Sequence, residues 1–161
     1  MSVSELSTST QNYLKAIWGL KEWSSEPVTA TLISARLGLK LSSVSDAVRK
    51  MTKQGLVSHT PYGAVELTGR GRQYALDMVR RHRLLESFLV QALDYTWDEV
   101  HDEAENLEHA VSDMLIERVD KFLNFPSRDP HGDPIPTADG IITIPRAHRL
   151  SDSGAQSQVI V

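Results

Sequence analysis

HDEAENLEH, residues 101–109, opens a predicted helix that carries two faces at once. At about 100° per residue, His101, Glu105, Glu108 and His109 fall within roughly 100° of arc. Val100, Ala104, Leu107, Val111 and Leu115 form an apolar stripe beside them. The helix therefore packs on one side and presents two imidazoles and two carboxylates on the next. Such a face is costly to bury unless a positive charge neutralises it. A divalent cation does so with its natural ligands, carboxylate oxygen and imidazole nitrogen. The alternative is a solvated acidic face, the ordinary fate of Glu and Asp.

Composition narrows the chemistry around this helix. The 161 residues are 40% hydrophobic and 24% charged, as in an ordinary globular protein long enough to bury a core. There is no Cys, so disulfides, thiolate nucleophiles and Cys-ligated metals are excluded, and any metal must be held by oxygen and nitrogen. No run of about 18 apolar residues suggests a membrane span, and MSVSELSTSTQ lacks the basic and apolar parts of a signal peptide. The expectation is a cytoplasmic protein. The net charge of −4 hides an asymmetry. Val28–Arg83 holds ten Lys/Arg against three Asp/Glu, whereas Leu84–Val161 holds five against fifteen. A basic half followed by an acidic one suggests a nucleic-acid face next to a cation-binding half.

The basic half has the corresponding pattern. Residues 8–23 are predicted as a first helix behind the Ser7–Thr10 cluster, with Tyr13, Leu14, Ile17, Trp18 and Leu20 as its apolar face. After the break at Ser24–Pro27, Thr29 or Thr31 caps a short helix that Gly38 ends. A turn at Leu39–Leu41 leads to a second helix, capped by Ser42 or Ser43, that buries Val44, Ala47, Val48 and Met51. This is the helix–turn–helix outline. Lys40, Ser42, Ser43, Ser45, Asp46, Arg49, Lys50 and Lys53 are the candidate DNA contacts, hydroxyls toward base edges and cations toward phosphates. Leu56–Thr60 and Ala64–Thr68, strand-like around Pro61-Tyr62-Gly63, add a wing with Tyr62 at its tip.

Thr68 caps a long predicted helix, Gly69 to about Leu93, with His82 and Glu86 one turn apart inside its apolar stripe. A His–Glu pair at this spacing can be a simple ion pair. A second His/Glu face about twenty residues later favours a metal between the two helices instead. Arg80, Arg81 and Arg83 are read as a solvated or phosphate-contacting face. The His101 helix is expected to run to about Asn124. Past Ser112 it turns apolar through Leu115, Ile116, Val119, Phe122 and Leu123, which suggests a homodimer seam or, alternatively, an intrachain contact. Phe125–Pro145 is too rich in Pro, Asp and Gly for regular structure, and His131 and Asp133 are read there as loop residues rather than ligands.

QNYLKAIWGL, LGLKLSSVSDAVRKM, YGAVELTGRGR, RRHRLLE, VHDEAENLEHAVSD and FPSRDPHGDPIP together span roughly residues 11–137. In that order they resemble the diphtheria-toxin-repressor and manganese-transport-regulator family of metal-activated transcription factors. The resemblance implies a mainly α fold: a winged helix–turn–helix domain (1–75), a helical metal-binding and dimerisation domain (76–140), and a tail (141–161) that would begin a truncated SH3-like domain. It implies two neighbouring cation sites, about two Mn²⁺ per subunit, with Fe²⁺, Co²⁺ or Zn²⁺ as substitutes. One ligand set maps onto His82, Glu86 and His101, the other onto Asn12, Glu105, Glu108 and His109. In the manganese branch His82, Glu105 and Glu108 share a binuclear site instead. Glu at position 105, where iron-responsive members carry Cys, suits the harder Mn²⁺. Asn12 and Lys15 depart from the acidic residues common at those positions in manganese regulators.

The expected function is a manganese(II)-activated repressor of metal-uptake genes that binds a palindromic operator as a homodimer. Double-stranded DNA is the expected partner; no membrane and no small organic substrate are expected. An iron(II)-dependent repressor and a metal-independent winged-helix regulator are the alternatives. An enzyme is not expected, because the chain has neither HExxH nor a nucleophile–base pairing.

Overall fold

The computed structural model describes residues 2–60 and 63–143. A single 3-10 turn, Val3–Glu5, leads into α1 (Thr8–Glu22), whose first turn is capped by the Ser7 hydroxyl accepting from the Thr10 amide at 3.3 Å. Tyr13, Leu14, Ile17 and Trp18 are all buried, as the apolar spacing of α1 requires. The helix–turn–helix follows as α2 (Ala30–Leu37) and α3 (Leu41–Lys53). Thr29 caps α2, and Gly38 ends it at φ 65°, a left-handed conformation that suits glycine. The α3 start differs from expectation. The helix begins at Leu41 behind Lys40, which makes no side-chain cap, so Ser42 and Ser43 lie inside its first turn with their side chains exposed.

The wing is an antiparallel pair, β1 (Val57–His59) and β2 (Val65–Leu67), in the register Val57↔Leu67. Its Tyr62 tip lies outside the described residues, as does the tail from residue 144 on. Thr68 then caps α4 (Gly69–Leu93) through the Gly71 amide at 3.1 Å. Gly71 is a close-approach glycine: a Cβ there would sit 1.9 Å from the Leu56 carbonyl oxygen.

Two hydrophobic clusters share α4. Tyr74, Ala75, Leu76, Met78 and Val79 close the first with α1, α2, α3 and the wing. Leu84, Leu85 and Leu89 open the second with Val100, Ala104, Val111, Ile116, Val119 and Ile135. At their junction α4 buries Arg80, Arg81, His82, Arg83 and Glu86. The three arginines are therefore interior fasteners rather than a solvated face. Arg80 reaches Asp120 at 2.5 Å. Arg81 donates to the Val111 carbonyl at 2.9 Å and pairs with Asp113. Arg83 clamps Glu22 of α1 at 2.8 and 3.0 Å and donates to the Pro134 carbonyl at 2.6 Å. An apolar stripe interrupted by arginine still packs when each guanidinium finds a carboxylate or carbonyl partner.

The helix expected from Trp97 to Asn124 is two helices. α5 (Trp97–Leu107) stops at Glu108, Ala110 and Val111 both bond back to the Leu107 carbonyl, and Ser112 caps α6 (Asp113–Phe122) through the Leu115 amide at 3.2 Å. Ser112 thus starts a second helix. Ile116 and Val119 of the suggested seam face the second cluster, while Met114, Leu115 and Phe122 stay exposed with Phe125. The 125–143 segment holds only an isolated bridge, Arg128↔Pro134. No helix among the described residues is long and apolar enough to cross a membrane.

Gly71→Ala should cost at least about 1–3 kcal/mol of stability, because the clashing atom is backbone and cannot rotate away. Urea unfolding in the presence of chelator measures it; an unchanged midpoint would mean that the α4–Leu56 approach is looser than described.

Candidate metal centre and nucleic-acid interface

The sequence-predicted ligands of α4 and of the 101–109 stretch meet where α1, α4 and α5 converge. His82 Nε2, His101 Nδ1 and Glu86 Oε1 form a triangle with edges of 3.2, 3.2 and 3.0 Å. For ligands at right angles about one ion, such edges correspond to metal–ligand distances of about 2.2 Å, between the ranges for Mg²⁺ and Ca²⁺. A mid-sized divalent cation fits that triangle. A second group, His82, Glu105 and Glu108, also brings its donor atoms together. Both groups use His82 from opposite nitrogens: Nε2 faces Glu86, and Nδ1 lies 2.6 Å from Glu108 Oε2. A neutral imidazole has one lone pair to give, so it serves one group as ligand and takes the other as a hydrogen-bond partner.

Lys15 decides how the second group is balanced. Its ammonium stands in the second group, 3.0 Å from Glu105 Oε1, 2.8 Å from both oxygens of Glu108 and 3.1 Å from His82 Nδ1. Glu108, which has no exposed surface, is balanced by this ammonium and His82. Lys15 is thus a tethered cation at the place of the expected ligand set. His109 lies at its edge, where its Nδ1 meets Gln11 Oε1 at 2.6 Å. The Gln11 amide nitrogen donates to the Val3 and Leu6 carbonyls at 3.0 and 2.9 Å, which aims the oxygen at His109. An imidazole that donates from Nδ1 keeps its Nε2 lone pair free for a metal. The α1 residue facing His109 is therefore Gln11. Asn12, the expected ligand, is half-buried on the next face.

Charge states follow from these contacts. Burial opposes ionisation of Glu86, but hydrogen bonding to His82 and the charge on it, with His101 and His131 beside it, hold its carboxyl at about 2. Burial works against the charge on His82 as well, yet Glu108 and Glu86 raise it above the usual imidazole value. Burial pushes His109 below that value, toward the neutral form a metal requires. Burial opposes the charge on Glu105 too, and the Lys15 ammonium overrides it.

Two contributions escaped sequence reasoning. Gln11, Lys15, Trp18 and Glu22 recur at helical spacing on α1, and Gln11, Lys15 and Glu22 contact His109, His82 and Arg83 respectively; that period was the available signal. His131, read as a loop residue, comes within 3.6 Å of Glu86 Oε2. A polar cavity of about 650 Å³ runs past these groups and includes Lys15, Glu22, His101, Glu105 and Asp133 in its lining.

At the other end of the molecule α3 buries only Val44, Val48 and Met51. Lys40, Ser42, Ser43, Ser45, Asp46, Arg49, Lys50 and Lys53 are all exposed. Asp46 pairs with Arg49 at 3.2 Å, and Ser45 bonds back to the Leu41 carbonyl at 2.9 Å.

Residues 5–65 match the iron dependent repressor N-terminal DNA binding domain, and residues 68–137 match the iron dependent repressor metal binding and dimerisation domain. The chain belongs to the iron-dependent repressor family. It is 38% identical over 134 residues to the iron-dependent repressor IdeR of Mycobacterium tuberculosis, covering 83% of this chain and 58% of that one. Against the diphtheria toxin repressor of Corynebacterium diphtheriae it is 36% identical over 137 residues, 85% and 60% of the two chains. A manganese-dependent transcriptional repressor in complex with manganese superposes with a TM-score of 0.85 at 56% identity, over 90% of this chain and 66% of that one. The manganese regulator SloR gives 0.75 at 39%, over 84% and 63%. The chain thus spans somewhat under two thirds of the length of these relatives.

Gln11→Ala should weaken Mn²⁺ binding by roughly 10–100-fold, the usual cost of losing a group that orients a ligand. Asn12→Ala should leave it nearly unchanged. Calorimetric titration of both variants checks this; the reverse ranking would return the α1 ligand to Asn12.

Proposed function

We propose that the protein is a manganese-activated transcriptional repressor of metal-uptake genes that acts in the cytoplasm as a homodimer on a palindromic DNA operator. The observation that carries this reading is the convergence of His82, Glu86, His101, Glu105, Glu108 and His109 on one seam that α1 also enters. That ligand set is all oxygen and nitrogen, which suits Mn²⁺; Fe²⁺ is the second reading, because the relative IdeR is named an iron-dependent repressor. A bound divalent cation would supply positive charge to the buried Glu86 and Glu108 and to the more exposed Glu105.

The protein's own residues do the rest. Lys15 pairs with Glu105 and Glu108, so it would have to yield its place for those carboxylates to act as ligands. Lys15 then turns toward the adjoining cavity, and α1 is held through the Gln11–His109 contact. Since α1 packs against both α4 and the helix–turn–helix, fixing α1 fixes each α3 relative to the dimer seam. Met114, Leu115 and Phe122 on α6, with Phe125 after it, would supply that seam. Two α3 helices held in this way meet half-sites about one DNA turn or a multiple apart. Lys40, Arg49, Lys50 and Lys53 reach phosphates, and Ser42, Ser43, Ser45 and Asp46 reach base edges.

Mn²⁺ titrated into a binding assay at fixed salt should tighten operator affinity by roughly 5–150-fold, and no tightening would reject the reading. Lys50→Ala should weaken binding across all sequences alike and flatten the salt dependence by about one unit.

Lys15→Met should raise Mn²⁺ affinity by about tenfold or more, since an ammonium at 3 Å from the ligand oxygens repels an incoming cation by several kcal/mol even when screened. Its metal-free form should melt below the natural chain, with the difference closing once Mn²⁺ is saturating. Competition against a fluorescent chelator, run beside thermal melts, reads both.

A further inference from the structure

The outer face of α3 contains one group of the wrong sign for DNA. Counted at about 100° per residue, Ser42, Asp46, Arg49 and Lys53 lie on the side of α3 away from the buried Val44, Val48 and Met51. Lys40, Arg49, Lys50 and Lys53 are exposed around Asp46, whose own side chain is 72% exposed. Four cations suit a polyanion, and a carboxylate among them lowers that attraction. Helix stability does not account for it. The Asp46–Arg49 pair is an exposed i, i+3 contact of 3.2 Å, and such pairs add little to folding.

What the carboxylate adds is discrimination. Serine hydroxyls donate and accept alike, so Ser42, Ser43 and Ser45 can meet any base edge. The lysines and arginine beside them suit phosphates, which carry no sequence. An ionised carboxylate only accepts. In the major groove thymine presents the O4 acceptor and guanine the N7 and O6 acceptors, and both repel it. Adenine offers its N6 amino group but places the N7 acceptor next to it. Cytosine alone offers an amino donor, at N4, with no acceptor on its edge. An aspartate in the middle of a reading face therefore selects by rejection as much as by attraction.

Arg49 fixes where that carboxylate points. Its Nη1 holds Asp46 Oδ1 from one turn further along the helix, which leaves Oδ2 for a base amine. The guanidinium keeps further donors for a phosphate, so it also shields the carboxylate from the backbone it borders. Lys40 makes no side-chain cap, and Ser45 turns its hydroxyl back to the Leu41 carbonyl at 2.9 Å, so neither takes up Asp46.

We propose that Asp46 sets the base preference of this chain: its carboxylate accepts from the N4 amino group of one cytosine in each half-site, and Arg49 positions it between that base and a phosphate. This inference rests on the reading of α3 as the DNA-contacting helix and adds the base that the helix selects.

The test is selection from a randomised duplex DNA library at saturating Mn²⁺, run with the full natural chain, Asp46→Asn and Asp46→Ala. Asp46 is exposed, so neither substitution opens the core, and unchanged Mn²⁺ binding verifies each variant. The natural chain should recover a C·G pair at one fixed position of each half-site. Asp46→Asn should recover A·T there, because an amide both donates and accepts and so matches adenine N6 and N7. Asp46→Ala should lose the preference at that position alone. N4-methylation of the selected cytosine, which keeps its pairing with guanine, should weaken the natural chain by roughly 5–150-fold and leave Asp46→Ala unaffected. Identical selected sites from all three chains, or uniform tightening by Asp46→Ala with no change of preference, would overturn the inference while leaving metal-activated DNA binding standing. A natural chain that selects no sequence overturns both. Should the variants not fold, the N4-methylated duplex decides with the natural chain alone, and unchanged affinity for it overturns the inference.

Discussion

Glu108 has no exposed surface, and its carboxylate ends against His82 of α4 and Lys15 of α1. An ionised carboxylate in that position would cost several kcal/mol without a matching charge, so the seam between these elements must contain a cation of some kind. The sequence supplies one in the form of Lys15, delivered on a helix rather than taken from solution. The buried charge of Glu108 is therefore matched within the chain. The same requirement makes the site responsive: whatever replaces the ammonium has to restore the charge and touch the same oxygens. A doubly charged ion with oxygen and nitrogen preference meets both conditions, and it can recruit Glu105 as well.

Placing this balance at the junction of two cores gives it leverage. α4 runs through both clusters, and its buried polar residues 80–83 and 86 sit at the changeover. Arg83 fastens α1 and the 125–136 loop to that junction, Arg81 fastens the turn between α5 and α6, and Arg80 fastens α6 itself. α1 is fastened to this scaffold by the Arg83–Glu22 clamp, and it meets the carboxylates of the seam through Lys15 while Gln11 reaches His109. A change of cation therefore acts first on α1, which also packs against α2 and β2 of the DNA-binding half. On the proposed reading the coupling needs no hinge elsewhere, because a side-chain movement of Lys15 alters the restraint on the helix that packs against the helix–turn–helix.

How much of this could be read beforehand divides along the range of the interactions involved. The α1 face, the Thr29 and Gly38 boundaries of α2, the two wing strands and the whole of α4 rest on local periodicity and capping, and they were legible to within a residue or two. His82, Glu86, His101, Glu105 and Glu108 were legible as one cluster because two His/Glu faces on adjacent helices have few other uses. The break at Ser112 was hidden because the apolar period continues across it, and only the Leu107 carbonyl bonds and the Ser112 cap reveal the new helix. The buried arginines were misread for a related reason. A helical face can be computed from spacing, but the carboxylate 30 or 60 residues away that makes its burial tolerable cannot. Asn12 came from the family resemblance rather than from spacing, and the α1 side chain that contacts His109 is its neighbour Gln11.

The double use of His82 bears on how the ligands divide. With Lys15 in place, Glu108 engages Nδ1, and the triangle around Nε2 is a ready three-point ligand set whose imidazole is oriented by a carboxylate behind it. If Lys15 leaves and Glu108 turns to a cation, that orienting bond is surrendered, and His82 is free to serve the other group. On the proposed reading the two positions are then not independent: occupancy at Glu105 and Glu108 alters the tautomer available to Glu86 and His101. Binding at one should consequently change affinity at the other, with the sign set by whether His82 is drawn away or left in place. A shared imidazole between two carboxylate groups is enough to make a pair of metal positions respond as a unit, without any movement of the helices that carry them.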